Sequence, residues 1–166
     1  MLKEKLKREL EQYINDHLEI EIRVMNEMRF VEDLEYSTKE MAIPELDEFI
    51  KEKQKPTFQQ LLFRFIDEKE RKDSEIYNKA GIDRRHFSKI RSNPNYQPKK
   101  STVLSLALAL ELDLEDTEEF LHSAGFSMNY SDKGDLVIQF FLERQNYNLH
   151  EINEALHHFQ LQPLGT

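Results

Sequence analysis

The sequence predicts an all-α fold, and three observations carry that prediction. Apolar residues recur at spacings of three and four through most of the chain, as in "LKEKLKREL" and "FQQLLFRFI", which gathers them on one face of a helix. Only four glycines and five prolines interrupt 166 residues, and most fall between the periodic segments, where they separate helices. A single stretch, "LEIEIRV" at residues 18–24, alternates with the period of a strand, and no second strand lies nearby to pair with it.

The elements follow in order. Leu2, Leu6, Leu10, Ile14 and Leu18 repeat every four residues among Lys and Glu, a thin stripe on a charged helix expected to run to about Glu35. Pro44 suits the first turn of a short helix ending at Lys53. The charged, proline-ended "KEKQKP" reads as a linker, so residues 1–55 are expected to form an N-terminal helical arm for dimerisation or partner binding. Residues 56–125 are the expected central domain, starting with a helix capped by Thr57 that carries Phe58, Leu61, Leu62, Phe65 and Ile66 on one face. Further helices are expected at about 74–80, with Ser74 as cap, and at 83–92, 100–112 and 116–124, the last capped by Asp116. Residues 126–166 add a pair at about 133–145 and 149–160, whose Leu136, Val137, Phe140, Phe141, Ile152, Leu156 and Phe159 should pack on that domain.

Composition removes several classes of function. The longest apolar run, "VLSLALALEL", is half of the roughly 20 residues needed to cross a bilayer, and "MLKEKLKREL" lacks the apolar segment of a secretion signal. Without cysteine there is no disulfide, thiolate nucleophile or Cys-bound zinc, and a reducing cytoplasm is the expected setting. Too few glycines remain for a phosphate-binding loop, no nucleophile elbow is present, and "ELDLEDTEEF" lacks the ligand spacing of a calcium loop. His150, Glu154 and His158 share a helix face with metal-compatible spacing, yet three such positions are more simply the wet face of a terminal helix. No enzyme, cofactor or metal is therefore expected.

Charge is unevenly distributed in a chain of net charge -9: residues 71–100 hold nine Lys or Arg against three Asp or Glu, and residues 101–166 hold two against 11. Within the basic segment Gly81 supplies a positive-φ turn, Ile82 plugs the corner and Asp83 caps the next helix. That helix buries Phe87 and Ile90 and leaves Arg84, Arg85, Ser88, Lys89 and Arg91 outside, so a helix-turn-helix is predicted. His86 is expected to pack beside the turn or to reach a phosphate or base.

The stretch "SEIYNKAGIDRRHFSKIRS" resembles the lambda-repressor-like, or Cro/C1-type (XRE), helix-turn-helix family. The resemblance falls on Ile76, Ala80, Gly81, Ile82, Asp83, Phe87, Ser88 and Ile90. It implies a five-helix unit from about Thr57 to Gly125, with an N-terminal helical arm and two extra C-terminal helices around it. By resemblance, the second helix of the pair enters the major groove of double-stranded DNA. Arg84, Arg85, Ser88 and Lys89 would then face base edges, and Arg91, Lys99 and Lys100, with Asn93 and Tyr96, would meet phosphates. The family often has glutamine where Asp73 stands and a small residue where Tyr77 stands, and the loop after Ser92 is long and proline-rich.

Two functions follow as expectations. The first is a sequence-specific transcriptional regulator of bacterial or phage type, working as a homodimer on double-stranded DNA. The second is a helix-turn-helix fold kept as a protein-interaction module, antitoxin-like or an adaptor, whose acidic arms bind a protein partner.

Overall fold

Residues 102–109 are buried without a break, and a helix that is apolar all round belongs in the middle of a fold. The one hydroxyl near its centre, Ser105, is satisfied by donating to the Ser101 carbonyl at 2.8 Å. A computed structural model describes residues 3–27 and 43–165, and residues 21–27 by their backbone alone. Among the described residues there are nine helices and no strand: α1 (Glu4–Glu27), α2 (Ile43–Lys53), α3 (Phe58–Glu68), α4 (Asp73–Lys79), α5 (Arg84–Ser92), α6 (Lys100–Ala109), α7 (Leu114–Ser123), α8 (Lys133–Glu143) and α9 (Leu149–His158). The protein is all-α, as predicted. The strand-like stretch 18–24 lies within α1, and the expected extension of that helix to about Glu35 falls outside the described residues beyond Glu27.

The buried helix α6 contacts α4, α7 and α9, while α3 packs on α7, and α5 on α4. Phe120 of α7 joins these layers, stacked on Phe58 at 4.9 Å and edge-on to Phe65 at 5.8 Å. Helix α8 buries Leu136, Val137, Phe140 and Phe141 against α7, α9 and α1. One hydrophobic core therefore runs from Leu10 through to Leu164.

Helix α1 corrects one expectation. Its stripe was expected to await another molecule, but Leu10 and Ile14 are fully covered within the chain. Tyr13 meets Phe140 edge-on at 5.3 Å, and the ends of the contact are tied by Arg144 to Glu9 at 3.7 Å and His158 to Glu11 at 3.0 Å. Helix α2 differs completely, since it buries no residue.

Helix starts follow side-chain caps. Thr57 and Gln60 form the reciprocal capping box at α3, and Asp83, Asp132 and Asn148 cap α5, α8 and α9. Two expected caps are corrected. Ser74 lies inside α4, whose start is fixed by Glu75 accepting from the Lys72 amide at 3.2 Å. Asp116 lies inside α7 and donates its amide to the true cap, Asp113, at 2.9 Å. Starting at Leu114 puts that side chain on the same face as Thr117 and Leu121, which are buried.

Helix ends share one device. At α3, α4, α6, α7, α8 and α9 the amide two residues beyond the cap returns to a carbonyl five residues back, for example Ile82 to Tyr77 at 2.9 Å and Leu112 to Ala107 at 3.1 Å. The left-handed residue this requires is glycine at Gly81 and Gly125, but Glu70, Glu111, Gln145 and Gln160 at the other four. Hence α6, α8 and α9 stop at Ala109, Glu143 and His158, two or three residues before the expected 112, 145 and 160.

Candidate nucleic-acid interface

The segment 80–92 is built outward from its buried side. Gly81 at φ 65° turns the chain, Ile82 drops into the core, and the Asp83 carboxylate accepts from the Arg85 amide at 2.7 Å. Phe87 and Ile90 are buried, so with about 100° between successive helical residues Arg85, Ser88 and Lys89 project away from them, and Arg84, three positions before Phe87, flanks the buried face at the start of the helix. All four are exposed. Arg84, Arg85 and Lys89 have no ion-pair partner among the described residues.

Tyr77, a large residue at the helix-packing position, is accommodated. Its ring leans on Phe87 with centroids 5.6 Å apart, and Phe63 meets Phe87 edge-on at 6.3 Å. The pair α4 and α5 therefore packs around an aromatic cluster rather than around a small residue.

The remaining predicted residues separate into two groups. Lys99 is exposed just before α6, beside the loop that leads from α5. Arg91, in contrast, is held inside the molecule's own contacts: its guanidinium bonds the Asp73 carboxylate through Nε at 2.8 Å and Nη2 at 2.6 Å, and lies 4.4 Å from the Phe63 ring centroid. Asp73, which would repel a phosphate if bare, is thereby neutralised. Lys100 is also withdrawn, since its ammonium pairs with Asp135, a carboxylate only 6 % exposed that also accepts from the Asn129 amide at 2.6 Å. Its structural role is to neutralise that buried acid. Lys79 is likewise paired with Glu111, and this hydrogen bond holds the Glu111 carboxyl below its ordinary range.

The long loop after α5 is anchored rather than loose. Asn93 caps the turn by accepting from the Asn95 amide at 3.0 Å, Pro98 is buried, and Tyr96 brings its hydroxyl to His86 Nε2 at 2.5 Å. Half-buried His86 and Tyr96 hold each other at the edge of α5, so His86 packs beside the loop and not toward the exposed basic face.

Two positioning contacts were not legible in the sequence. Gln59 of α3 donates to the carbonyls of Ile90 at 2.9 Å and Arg91 at 2.7 Å, satisfying acceptors that the end of α5 leaves open. Nothing in the spacing of Gln59 marks it for this. Behind the turn, Asn153 of α9 pins the tail by accepting from the Leu164 amide at 2.8 Å and donating to its carbonyl at 2.9 Å. Gly165 is thereby laid against the Ala80 and Gly81 backbone, where a Cβ would come within 3.1 Å of the Ala80 carbonyl.

The histidine face on α9 does not converge. His150 lies 3.6 Å from Glu154, but His158 is engaged with Glu11 of α1. Among the described residues no group of three or more His, Asp or Glu is arranged to hold a metal ion, and no helix is long and apolar enough to cross a membrane. Comparison with protein-family models, curated proteins and solved structures found no match for this chain.

Proposed function

We propose that this chain is a sequence-specific DNA-binding transcriptional regulator of bacterial or phage type, with α4 and α5 as a lambda-repressor-like helix-turn-helix and α5 as its recognition helix. The carrying observation is the first turn of α5, where Arg84 and Arg85 stand exposed and form no ion pair among the described residues, the adjacent Asp83 carboxylate being engaged by the Arg85 amide. Cations there oppose the helix macrodipole and cost a few tenths of a kcal/mol or more. Stability does not explain that placement. A guanidinium fork presented to guanine O6 and N7 does.

In this reading Arg84, Arg85, Ser88 and Lys89 meet base edges, and Lys99 meets phosphate. Arg91 and Lys100 leave the contact set, because Asp73 and Asp135 occupy them. The regulator works without catalysis, as a homodimer, in the reducing cytoplasm that suits a cysteine-free chain. The test is selection from random duplex DNA at moderate salt with the parent and with the Arg84→Ala/Arg85→Ala double variant. Enrichment of a motif by the parent and not by the variant is expected. Equal behaviour of the two would overturn base readout.

A second reading rests on α2, whose apolar residues are uncovered. It makes the chain an interaction module, antitoxin-like or an adaptor, that holds a protein partner through residues 1–55. It predicts a co-purifying protein that survives the Arg84→Ala/Arg85→Ala change and is lost with Leu46→Glu/Phe49→Glu. Loss of the complex in the arginine variant counts against it.

A further inference from the structure

After α9 the chain reverses and comes back to the α4–α5 turn. Gln160 takes the left-handed conformation at φ 58°, and the Leu161 amide returns to the Leu156 carbonyl at 2.9 Å. Three residues on, Leu164 is buried in the core, and the Asn153 side chain bonds both its amide, at 2.8 Å, and its carbonyl, at 2.9 Å. Between these points Gln162 and Pro163 are exposed. Gly165 then lies on the turn itself, where a Cβ would stand 3.1 Å from the Ala80 carbonyl oxygen and 3.5 Å from Gly81 Cα.

That turn is the joint that aims α5. Helix α4 has seven residues and α5 nine, lengths at which packing, and not the helix's own hydrogen bonds, keeps it in place. Their relative orientation passes through Gly81, Ile82 and Asp83, of which only Ile82 is buried. The Ile82 amide closes on the Tyr77 carbonyl at 2.9 Å and the Arg85 amide on the Asp83 carboxylate at 2.7 Å. A shift of the Gly81 backbone is therefore carried directly to the first turn of α5. Across from Gly81 stand Gly165 and, at the start of α9, the Leu149 side chain, 3.5 Å from where a Gly81 Cβ would sit.

We infer that residues 160–165 are a strap that fixes the α4–α5 turn and opens on its own, so that its seating sets how Arg84 and Arg85 are presented. The device rests on the DNA-binding reading for its purpose. Its seat is one leucine and one asparagine, with exposed chain between them and Gln160. Segments held by so few buried contacts open locally, well below the free energy of global unfolding. Seated, the strap also ties the turn to the opposite side of the molecule, because Asn153 belongs to α9, and His158 of the same helix reaches Glu11 of α1 at 3.0 Å. A displacement of α9 reaches the turn through Asn153, Leu164 and Gly165, a contiguous route whose switching element is the strap.

The experiment releases the strap in the full chain by two independent changes. Asn153→Ala removes both bonds to Leu164, and Gly165→Ala sets a methyl group against the Ala80 carbonyl on a backbone at φ 84°. Amide exchange read by mass spectrometry is expected to quicken about tenfold over residues 80–85 in both variants, with α3 and α8 unchanged, as for a local opening. Both variants should also lose about three- to tenfold in the ratio of selected to non-specific duplex affinity, because base readout by arginine depends on its geometry. Non-specific affinity and its salt dependence should hold, since phosphate contacts carry no sequence information. Exchange that quickens throughout the domain, with both duplexes weakened alike, means general destabilisation and overturns the inference. Unchanged exchange at 80–85 overturns it and leaves the DNA-binding reading standing, as does a loosened turn with an unchanged affinity ratio. A parent that selects no duplex overturns the DNA-binding reading and the presentation role with it, while quickened exchange at 80–85 would still support the strap's hold on the turn.

Discussion

At the first turn of α5, Arg84 and Arg85 extend into solvent with no ion-pair partner among the described residues, the capping Asp83 carboxylate being engaged by a backbone amide; at its last turn, Arg91 is gripped by Asp73 and Phe63 while Gln59 occupies the open carbonyls. The same residue type serves two purposes seven positions apart. The difference lies in what the neighbouring helices present. Helices α3 and α4 pass the end of α5 and offer it a ring, a carboxylate and an amide, whereas at its start the Asp83 cap bonds a backbone amide and leaves both arginine side chains without an ion pair among the described residues. One end is displayed and the other is anchored, so their substitutions should give opposite signatures.

The largest effect is expected at the displayed end. A bidentate guanidinium–guanine contact carries about 1–3 kcal/mol of discrimination, so Arg84→Ala/Arg85→Ala should weaken binding to the selected duplex on the order of 100-fold. Thermal stability should stay level or rise slightly, because two cations leave the positive end of a helix. Titration by fluorescence anisotropy and a melt of the same sample check both halves together. A fall in melting temperature of several degrees would place these arginines among the anchoring residues and erase the contrast.

Arg91→Ala should do the reverse. It removes a half-exposed ion pair and a cation–π contact, together about 1 kcal/mol after allowance for solvent screening. For a chain of this size that amounts to a lower melting temperature by about 2–4 °C. Asp73 is left bare near the basic face. A double variant Arg91→Ala/Asp73→Ala should recover binding relative to Arg91→Ala, and the cycle isolates the pair's coupling. Additive behaviour of the two changes would sink the anchoring role.

Much of this arrangement was legible, and its illegible parts share a cause. The turn at Gly81, the cap at Asp83 and the buried set Ile76, Ala80, Ile82, Phe87 and Ile90 depend on local spacing, which sequence displays directly. The fates of Arg91 and Lys100 depend on Asp73 and Asp135, 18 and 35 residues away. Charge counts over a window cannot distinguish a tied cation from a displayed one. Likewise, the stripe on α1 says that something covers it but not what, and Phe140 lies more than a hundred residues on. The helix ends were missed for a conformational reason: Glu111, Gln145 and Gln160 take the left-handed geometry usually signalled by glycine. Each accepts about 1–2 kcal/mol of backbone strain there.

Two smaller changes test whether the geometry of α5, apart from its charge, matters for readout. Asp83→Ala removes the cap and should cost about 1 kcal/mol, and Gln59→Ala should cost about 0.5–1 kcal/mol as the Ile90 and Arg91 carbonyls turn to water. Urea unfolding is expected to show a lower midpoint with an unchanged slope. Amide exchange should quicken at opposite ends of α5 in the two variants. If exchange instead rises uniformly over the domain, α5 is not held separately at its two ends.

The smallest expected effect bears directly on Asp73. Asp73→Ala frees Arg91 to reach a phosphate and removes an acid from the edge of the basic face, at a stability cost of only about 0.2–1 kcal/mol for a surface pair. The dependence of log affinity on log salt should then steepen by about one, as expected for one additional phosphate contact. Non-specific duplex should gain as much as the selected site, since a phosphate contact carries no sequence information. An unchanged slope would mean that Asp73 and Arg91 lie beyond the edge of the duplex. The interface would then shrink to the first two turns of α5 and Lys99.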